Sequence, residues 1–299
     1  MHRRGWAITG AVFLTLCAGF GLFEKVISIG VAPEPLTTAT VSPTVHTTTT
    51  PTIFMPGWAT SANSFNRMIG YMQDHHTAGK VMRINVDIFG HIHVRGHLRP
   101  DDVNPLIQVT FSRNLANTYQ PQVKWLNKIL LLLKQKYGVT QYNAVGHSWG
   151  GSALVSQLIR YGNDPRLPRL NKMVLLGTPV DEGVDRAKDI RESGEPKRPT
   201  HIYRHLLADR QNLTANRTAT IFNVYGSTNG EATDNAVPIV QAQSLRYLVR
   251  GIVPNYHEIL LNNANHHQLH TTVRSFKLVT QLLFGDPQAN TVANEQQIK

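Results

Sequence analysis

The chain has 299 residues, of which 41% are hydrophobic and 16% charged. This composition excludes a disordered protein and suits a globular domain with a substantial core. The formal net charge of +11 favours contact with an anionic membrane or with envelope polymers. Nucleic acid is not an expected partner, because the sequence has no recognition motif and no dense Lys/Arg tract with interleaved aromatic residues. With Cys17 as the single cysteine, a disulfide framework and a cysteine-based metal site are excluded.

The first 31 residues carry a targeting pattern. A short basic head at residues 2–4 precedes an apolar run at 6–23, which is typical of a secretory signal peptide or an N-terminal membrane anchor. No clean A-x-A site follows, so the pattern slightly favours the anchor, with the rest of the chain exported. Residues 32–51 are rich in Pro and Thr and predict an extended linker. We therefore expect an extracytoplasmic protein, anchored at the cell surface or secreted.

Residues 52–286 are expected to form the folded domain, followed by a polar tail at 287–299. Strands alternate with helices, which predicts an α/β fold with a mostly parallel central sheet and helices on both faces. The long polar stretch at 181–217 lacks a strand pattern and separates two strands, so we expect a lid or cap there. The predicted strands lie at 53–55, 81–86, 107–111, 144–145, 172–177, 220–225 and 245–253, with a hairpin at 88–96, and the predicted helices at 61–69, 117–137, 152–161, 239–247 and 273–284.

A candidate nucleophile lies where a strand runs into a helix. Residues 142–151 read YNAVGHSWGG and contain the G-x-S-x-G pattern around Ser148. Side chains at Gly146 and Gly150 would collide with the strand and the helix, because the turn is sharp and strained. Such a turn presents the Ser148 hydroxyl at the N-terminus of a helix, where N–H groups stabilise negative charge.

A serine nucleophile needs a base and an acid that fixes the base, and in this architecture they follow in the order Ser, Asp or Glu, His. Asp234 comes just after the strand at 220–225 and is the preferred acid because of that position. Glu231 in the same loop and Asp181 after the previous strand are the alternatives. Spacing alone favours a solvated loop aspartate or one that only caps a turn.

Four downstream histidines are candidates for the base. His266 is our choice, with His270 and His267 as alternatives in the segment NANHHQLHTT, whereas His257 lies further upstream. A metal site is not expected from this cluster, since the spacing differs from H-E-x-x-H and no carboxylate lies between the histidines. The main-chain N–H groups of Trp149 and Trp58 are the predicted oxyanion donors, from the residue after the nucleophile and from the loop after the first strand.

These motifs carry a family resemblance. The chain resembles the bacterial cell surface hydrolases of the α/β-hydrolase superfamily, also described as DUF915. The resemblance spans residues 52–284 and is carried by the segments PGWATSANSFNRMI, YNAVGHSWGG, TDNAVPIVQAQSLRYL and NANHHQLHTT. The resemblance implies an acid at Asp234, a base at His266, hydrolysis of small or lipid-like esters, and no cofactor or metal. The sequence departs from the family pattern in having Pro56 in place of a histidine, Asn235 in place of a glycine and His267 in place of a serine.

Together these patterns predict a serine hydrolase, specifically a carboxylic ester hydrolase that works through an acyl-enzyme on Ser148. An acyltransferase would use the same triad but exclude water from the acyl-enzyme. A third interpretation is a cationic cell-surface binding module in which the triad is inactive.

Overall fold

The computed structural model of the protein describes residues 31–59 and 63–285. The predicted signal peptide or anchor, up to residue 30, and the predicted polar tail at 287–299 lie outside these residues. Within the two described ranges, none of the helices combines the length and the apolar character that a bilayer crossing requires.

A single eight-stranded sheet organises the described chain, in the order β3-β2-β4-β1-β5-β6-β7-β8. β3 runs antiparallel to β2, and the other neighbouring pairs are parallel. The predicted mostly parallel α/β sheet is therefore confirmed. The strands are β1 Thr52–Met55, β2 Gly79–Val86, β3 Ile92–Gly96, β4 Pro105–Phe111, β5 Gln141–His147, β6 Arg169–Leu176, β7 Thr220–Gly226 and β8 Asn255–Leu261.

Helices cover both faces of the sheet because successive side chains of each strand point to opposite sides. In β1, Ile53 belongs to one apolar cluster and its neighbour Phe54 to the other. The helices are α1 Asn66–Asp74, α2 Gln120–Tyr137, α3 Trp149–Tyr161, α4 His201–Asp209, α5 Ile239–Gln243, α6 Leu245–Val249, α7 Gln268–Thr271 and α8 Val273–Phe284, with 3₁₀ turns at Ala187–Asp189 and Arg210–Asn216.

Helix α2 forms where the apolar period predicts it. Val123, Leu126 and Leu133 lie on its buried face, as side chains at helical spacing on one face should. Gly138 ends the helix with φ of 66°, a left-handed conformation that glycine adopts without strain.

The predicted late strand at 245–253 is wrong. Residues 245–249 form α6, in which Leu245 and Leu248 are buried at helical spacing. The last strand is β8 at the edge of the sheet, where most side chains are partly buried or exposed. An edge strand of this kind has no continuous apolar run, which is why the sequence pattern did not reveal it.

The excursion at 181–217 connects β6 to β7. Its second half is a helical crossover, in which Tyr203, Leu206 and Leu213 are buried in the main apolar cluster. Its first residues, by contrast, lie a few residues beyond the carboxyl end of β6.

The segment at 32–51, predicted to be an extended linker, instead packs against the amino end of the sheet; we call residues 31–51 the N-terminal strap. Leu36 is 3% exposed and pairs with Val103. The side-chain oxygen of Asn104 accepts a hydrogen bond from the Thr48 N–H at 2.9 Å. The strap is held largely through its backbone, so a search for apolar periodicity could not detect its docking.

Candidate active site

Ser148 occupies the turn between β5 and α3. Its φ of 53° and ψ of −131° lie in a region that costs a non-glycine residue about 1–3 kcal/mol. The Ser148 N–H donates to the Leu176 carbonyl oxygen at 2.9 Å, which fixes this strained turn. A β-carbon on Gly150 would lie 2.4 Å from the Met55 carbonyl oxygen, and Gly146 is similarly crowded. The two glycines therefore allow the close approach that presents Ser148.

Asp234 and His266 form a hydrogen-bonded pair. His266 Nδ1 lies 2.7 Å from Asp234 Oδ2, and the Asp234 side chain is 1% exposed. The other carboxylate oxygen accepts the N–H groups of Ala236 and Val237 at 3.0 and 2.7 Å. Asn235 has a φ of 74° and makes the tight turn that brings these donors round. The carboxylate therefore favours a proton on His266 Nδ1 and leaves Nε2 available to a hydroxyl group.

Ser148 and His266 line the same pocket, a cavity of about 580 Å³. Among the described residues no hydrogen bond joins their side chains. In unliganded enzymes this bond is often long and tightens when substrate binds. The structure thus brings the predicted serine, acid and base to one end of the sheet, with the acid and base already bonded.

The predicted oxyanion donors also reach this pocket. Trp58 and Trp149 both line it, and neither main-chain N–H has a hydrogen-bond acceptor within the described part of the chain. Asn114 holds the loop at 57–59 through two hydrogen bonds. Its side-chain amide donates to the Gly57 carbonyl oxygen, and its main-chain carbonyl oxygen accepts from the Ala59 N–H at 2.9 Å.

The remaining histidines pack around the base. His147 Nε2 donates to the His266 carbonyl oxygen at 3.1 Å, and its ring centroid lies 4.0 Å from that of His270. His270 Nδ1 donates to the Ser64 carbonyl oxygen at 3.0 Å. Burial, and then the neighbouring histidines, holds the pKa of His147 well below its usual value. Burial likewise lowers the pKa of His270 to about 4, so both imidazoles are neutral near pH 7.

The alternative candidates lie elsewhere or serve the fold. Asp181 is fully buried and accepts the N–H groups of Gly183 and Thr200, so it holds its own loop. Glu231 is exposed in a turn. His257 stacks on Phe222 in the sheet, with ring centroids 5.3 Å apart. His267 does line the pocket. Within the described ranges, no group of three or more potential ligands is arranged to hold a metal ion.

Two further residues at the site carry no recognisable sequence pattern. Asn114 follows β4 and positions the 57–59 loop. Glu182 follows β6 and accepts a hydrogen bond from Trp149 Nε1 at 2.7 Å. Both contacts join segments that are far apart in the chain, so only the fold reveals them.

The comparisons with known proteins agree with this architecture. One family profile, described as an alpha/beta hydrolase of unknown function (DUF915), matches residues 40–286. The solved structure of the lin2722 gene product of Listeria innocua is 26% identical, with a TM-score of 0.69 over 78% of this chain and 93% of that one. A protein of Lactobacillus plantarum WCFS1, provisionally described as a cell surface hydrolase, is 23% identical, with a TM-score of 0.62 over 78% and 89% of the two chains. The second likeness shows the fold alone. A search of curated proteins found no match.

Proposed function

Because the chain belongs to the DUF915 family of α/β hydrolases, we propose that it is a serine hydrolase that cleaves carboxylic esters. The observation that carries this proposal is the hydrogen bond of 2.7 Å between the buried Asp234 and His266, whose side chain lines the same pocket as Ser148 on its strained turn. A buried acid, an oriented imidazole and a presented hydroxyl are the three parts that make serine nucleophilic.

The proposed reaction is acyl transfer through Ser148. Its oxygen attacks the ester carbonyl carbon while His266 Nε2 takes the hydroxyl proton, and Asp234 stabilises the resulting imidazolium. The negative oxygen of the tetrahedral intermediate accepts hydrogen bonds from the Trp58 and Trp149 N–H groups. His266 then returns the proton to the leaving alkoxide. In the second half of the reaction, His266 takes a proton from water, which attacks the acyl-enzyme. The carboxylic acid product is released and the Ser148 hydroxyl is restored.

We propose small or lipid-like esters as substrates and an extracytoplasmic location. The basic head and apolar run at residues 2–23 support export. The net charge of +11 supports contact with an anionic membrane or envelope polymer outside the cell.

The test is turnover of p-nitrophenyl esters of graded acyl length by the wild type and by Ser148→Ala. We expect the substitution to remove at least about 10³-fold of the activity, because the nucleophile is lost. Ser156→Ala is the matched control, since Ser156 lies on the same helix and its buried hydroxyl has no hydrogen-bond partner among the described residues. Unchanged turnover in Ser148→Ala, with activity in the control, would remove Ser148 from the reaction.

A further inference from the structure

The mouth of the pocket beside Ser148 combines a carboxylate with two indole rings. The rings of Trp58 and Trp149 have centroids 6.1 Å apart and planes that cross at 66°. Both are held in place, since Trp58 Nε1 donates to the Ala116 carbonyl oxygen at 3.0 Å and Trp149 Nε1 donates to Glu182 Oε1 at 2.7 Å. Trp58 is nevertheless 50% exposed. We call Trp58, Trp149 and Glu182 the aromatic corner.

The charge of the corner is opposite to that of the molecule. The sequence has 30 Lys and Arg against 19 Asp and Glu, yet no Lys or Arg lines the described pocket, whereas Glu182 does. Glu182 also forms no salt bridge with any described residue. An unneutralised carboxylate beside aromatic rings attracts a cation and disfavours an anion.

The hydrogen-bonding capacity of Glu182 also favours a cation as the ligand. One oxygen of Glu182 is engaged by Trp149, and an ionised carboxylate acts only as an acceptor. The free acyl chain of a neutral lipid offers it neither a donor nor a charge. An ammonium group offers both a positive charge for the carboxylate and a favourable contact with the faces of the indole rings.

We propose that the aromatic corner is a subsite for an ammonium group, so that the preferred esters carry a positive charge on their acyl or alcohol part. This inference rests on the proposed ester hydrolysis at Ser148 and narrows its substrate class. The corner includes the side chains of the two residues whose N–H groups are the proposed oxyanion donors. A cation bound there would therefore anchor the substrate next to the reacting carbonyl.

The test compares two thioesters of the same shape that differ by one charge: the cation butyrylthiocholine, and its neutral 3,3-dimethylbutyl analogue, in which carbon replaces the ammonium nitrogen. We expect the wild type to show a kcat/KM at least about tenfold higher for the cationic ester. Glu182→Gln should lower this preference by about tenfold, and added NaCl should lower it in the wild type. Glu231→Gln, which removes an exposed carboxylate that does not line the pocket, should keep the preference.

A binding measurement separates this inference from the proposed reaction. Quenching of tryptophan fluorescence by tetramethylammonium in Ser148→Ala reports the corner without catalysis, and we expect the added Glu182→Gln change to weaken binding by about tenfold. Ser148-dependent hydrolysis without a cation preference, together with binding that ignores Glu182, would overturn the subsite and leave the hydrolase proposal intact. Glu182-dependent binding in a protein that cleaves neither ester would support the subsite and contradict the hydrolase proposal.

Discussion

Both carboxylate oxygens of Asp234, the acid of the candidate triad, accept hydrogen bonds. Asp234 Oδ2 meets His266 Nδ1 at 2.7 Å while Oδ1 accepts two main-chain N–H groups. An amide at this position would present an NH₂ group either to the imidazole or to those two donors. In the first case it would stabilise the wrong tautomer of the base, and in the second it would disrupt the turn.

We therefore expect Asp234→Asn to lower kcat for p-nitrophenyl esters by about 10³–10⁴-fold. Steady-state kinetics measures the loss, and circular dichroism checks that the variant is folded. Glu231→Gln in the same loop is the control, since Glu231 is exposed and does not line the pocket. A folded Asp234→Asn variant that keeps more than a tenth of the wild-type kcat would exclude Asp234 as the acid.

At the scale of elements, the residue required at the turn between β5 and α3 is set by the room available for a side chain rather than by helix propensity. Gly150 is in the first turn of α3, where alanine would ordinarily favour the helix by about 1 kcal/mol. Here a β-carbon would lie 2.4 Å from the Met55 carbonyl oxygen and 2.5 Å from that of Pro56. Both contacts are to backbone, which cannot rotate away, so the steric cost exceeds the gain in propensity.

Gly150→Ala should consequently reduce the free energy of unfolding by about 3 kcal/mol or more, through forced shifts of β1 and α3. Urea unfolding measures this value. Gly138→Ala provides the comparison, because Gly138 has a φ of 66° but no atom within 4 Å of the added carbon. It should cost only about 1 kcal/mol. An equal loss in the two variants would mean that steric crowding does not shape the turn.

The sequence predicted those elements whose evidence is local. Helix α2 has a clear apolar period and a glycine cap, and the G-x-S-x-G turn has a required strand and helix around it. Strand β8 was not predicted because an edge strand is only half buried and lacks a continuous apolar run. The roles of Asn114 and Glu182 at the site were not predicted because their partners, Gly57 and Trp149, are distant in the chain. Assignment of Ser148, Asp234 and His266 to catalysis stays a prediction until activity is measured.

At the scale of the whole molecule, the buried histidines link folding to pH. Burial lowers the pKa of His270 to about 4 in the folded protein, against about 6.5 in an unfolded chain. Between these values the unfolded chain binds a proton that the folded protein does not. Stability therefore rises with pH from about 4 to about 6.5 and is flat above, as far as this group is concerned. His147, whose pKa is also lowered, contributes in the same direction.

We expect the free energy of unfolding to fall by roughly 2 kcal/mol on account of His270 when the pH drops from 7 to 4.5. Urea unfolding at the two pH values should show a smaller fall in His270→Asn, which keeps a donor for the Ser64 carbonyl oxygen but does not titrate. His97→Asn is the control, because His97 is exposed and lies in the loop after β3, away from the cluster, and it should leave the fall unchanged. The same fall in wild type and His270→Asn would show that His270 does not govern acid stability.

The N-terminal strap and the pocket lie at opposite ends of the parallel sheet. Lys80 near the start of β2 donates to the Val31 carbonyl oxygen at 2.6 Å, and Leu36 pairs with Val103 just before β4. Ser148, in contrast, follows the carboxyl end of β5. The strap should therefore contribute to stability without touching the chemistry, whereas a free linker would contribute to neither.

Leu36→Ala distinguishes these two descriptions. Leu36 is 3% exposed, and truncating a buried leucine removes apolar contacts that no neighbour replaces, so we expect a loss of about 2 kcal/mol in the free energy of unfolding. Thr38→Ala, at an exposed position of the same segment, should change stability by less than about 0.5 kcal/mol. Ester turnover at a temperature where both variants are folded should stay at the wild-type value, because the pocket is at the other end of the sheet. A Leu36→Ala variant as stable as the wild type would restore the linker description, since a segment that does not pack has no buried leucine to lose.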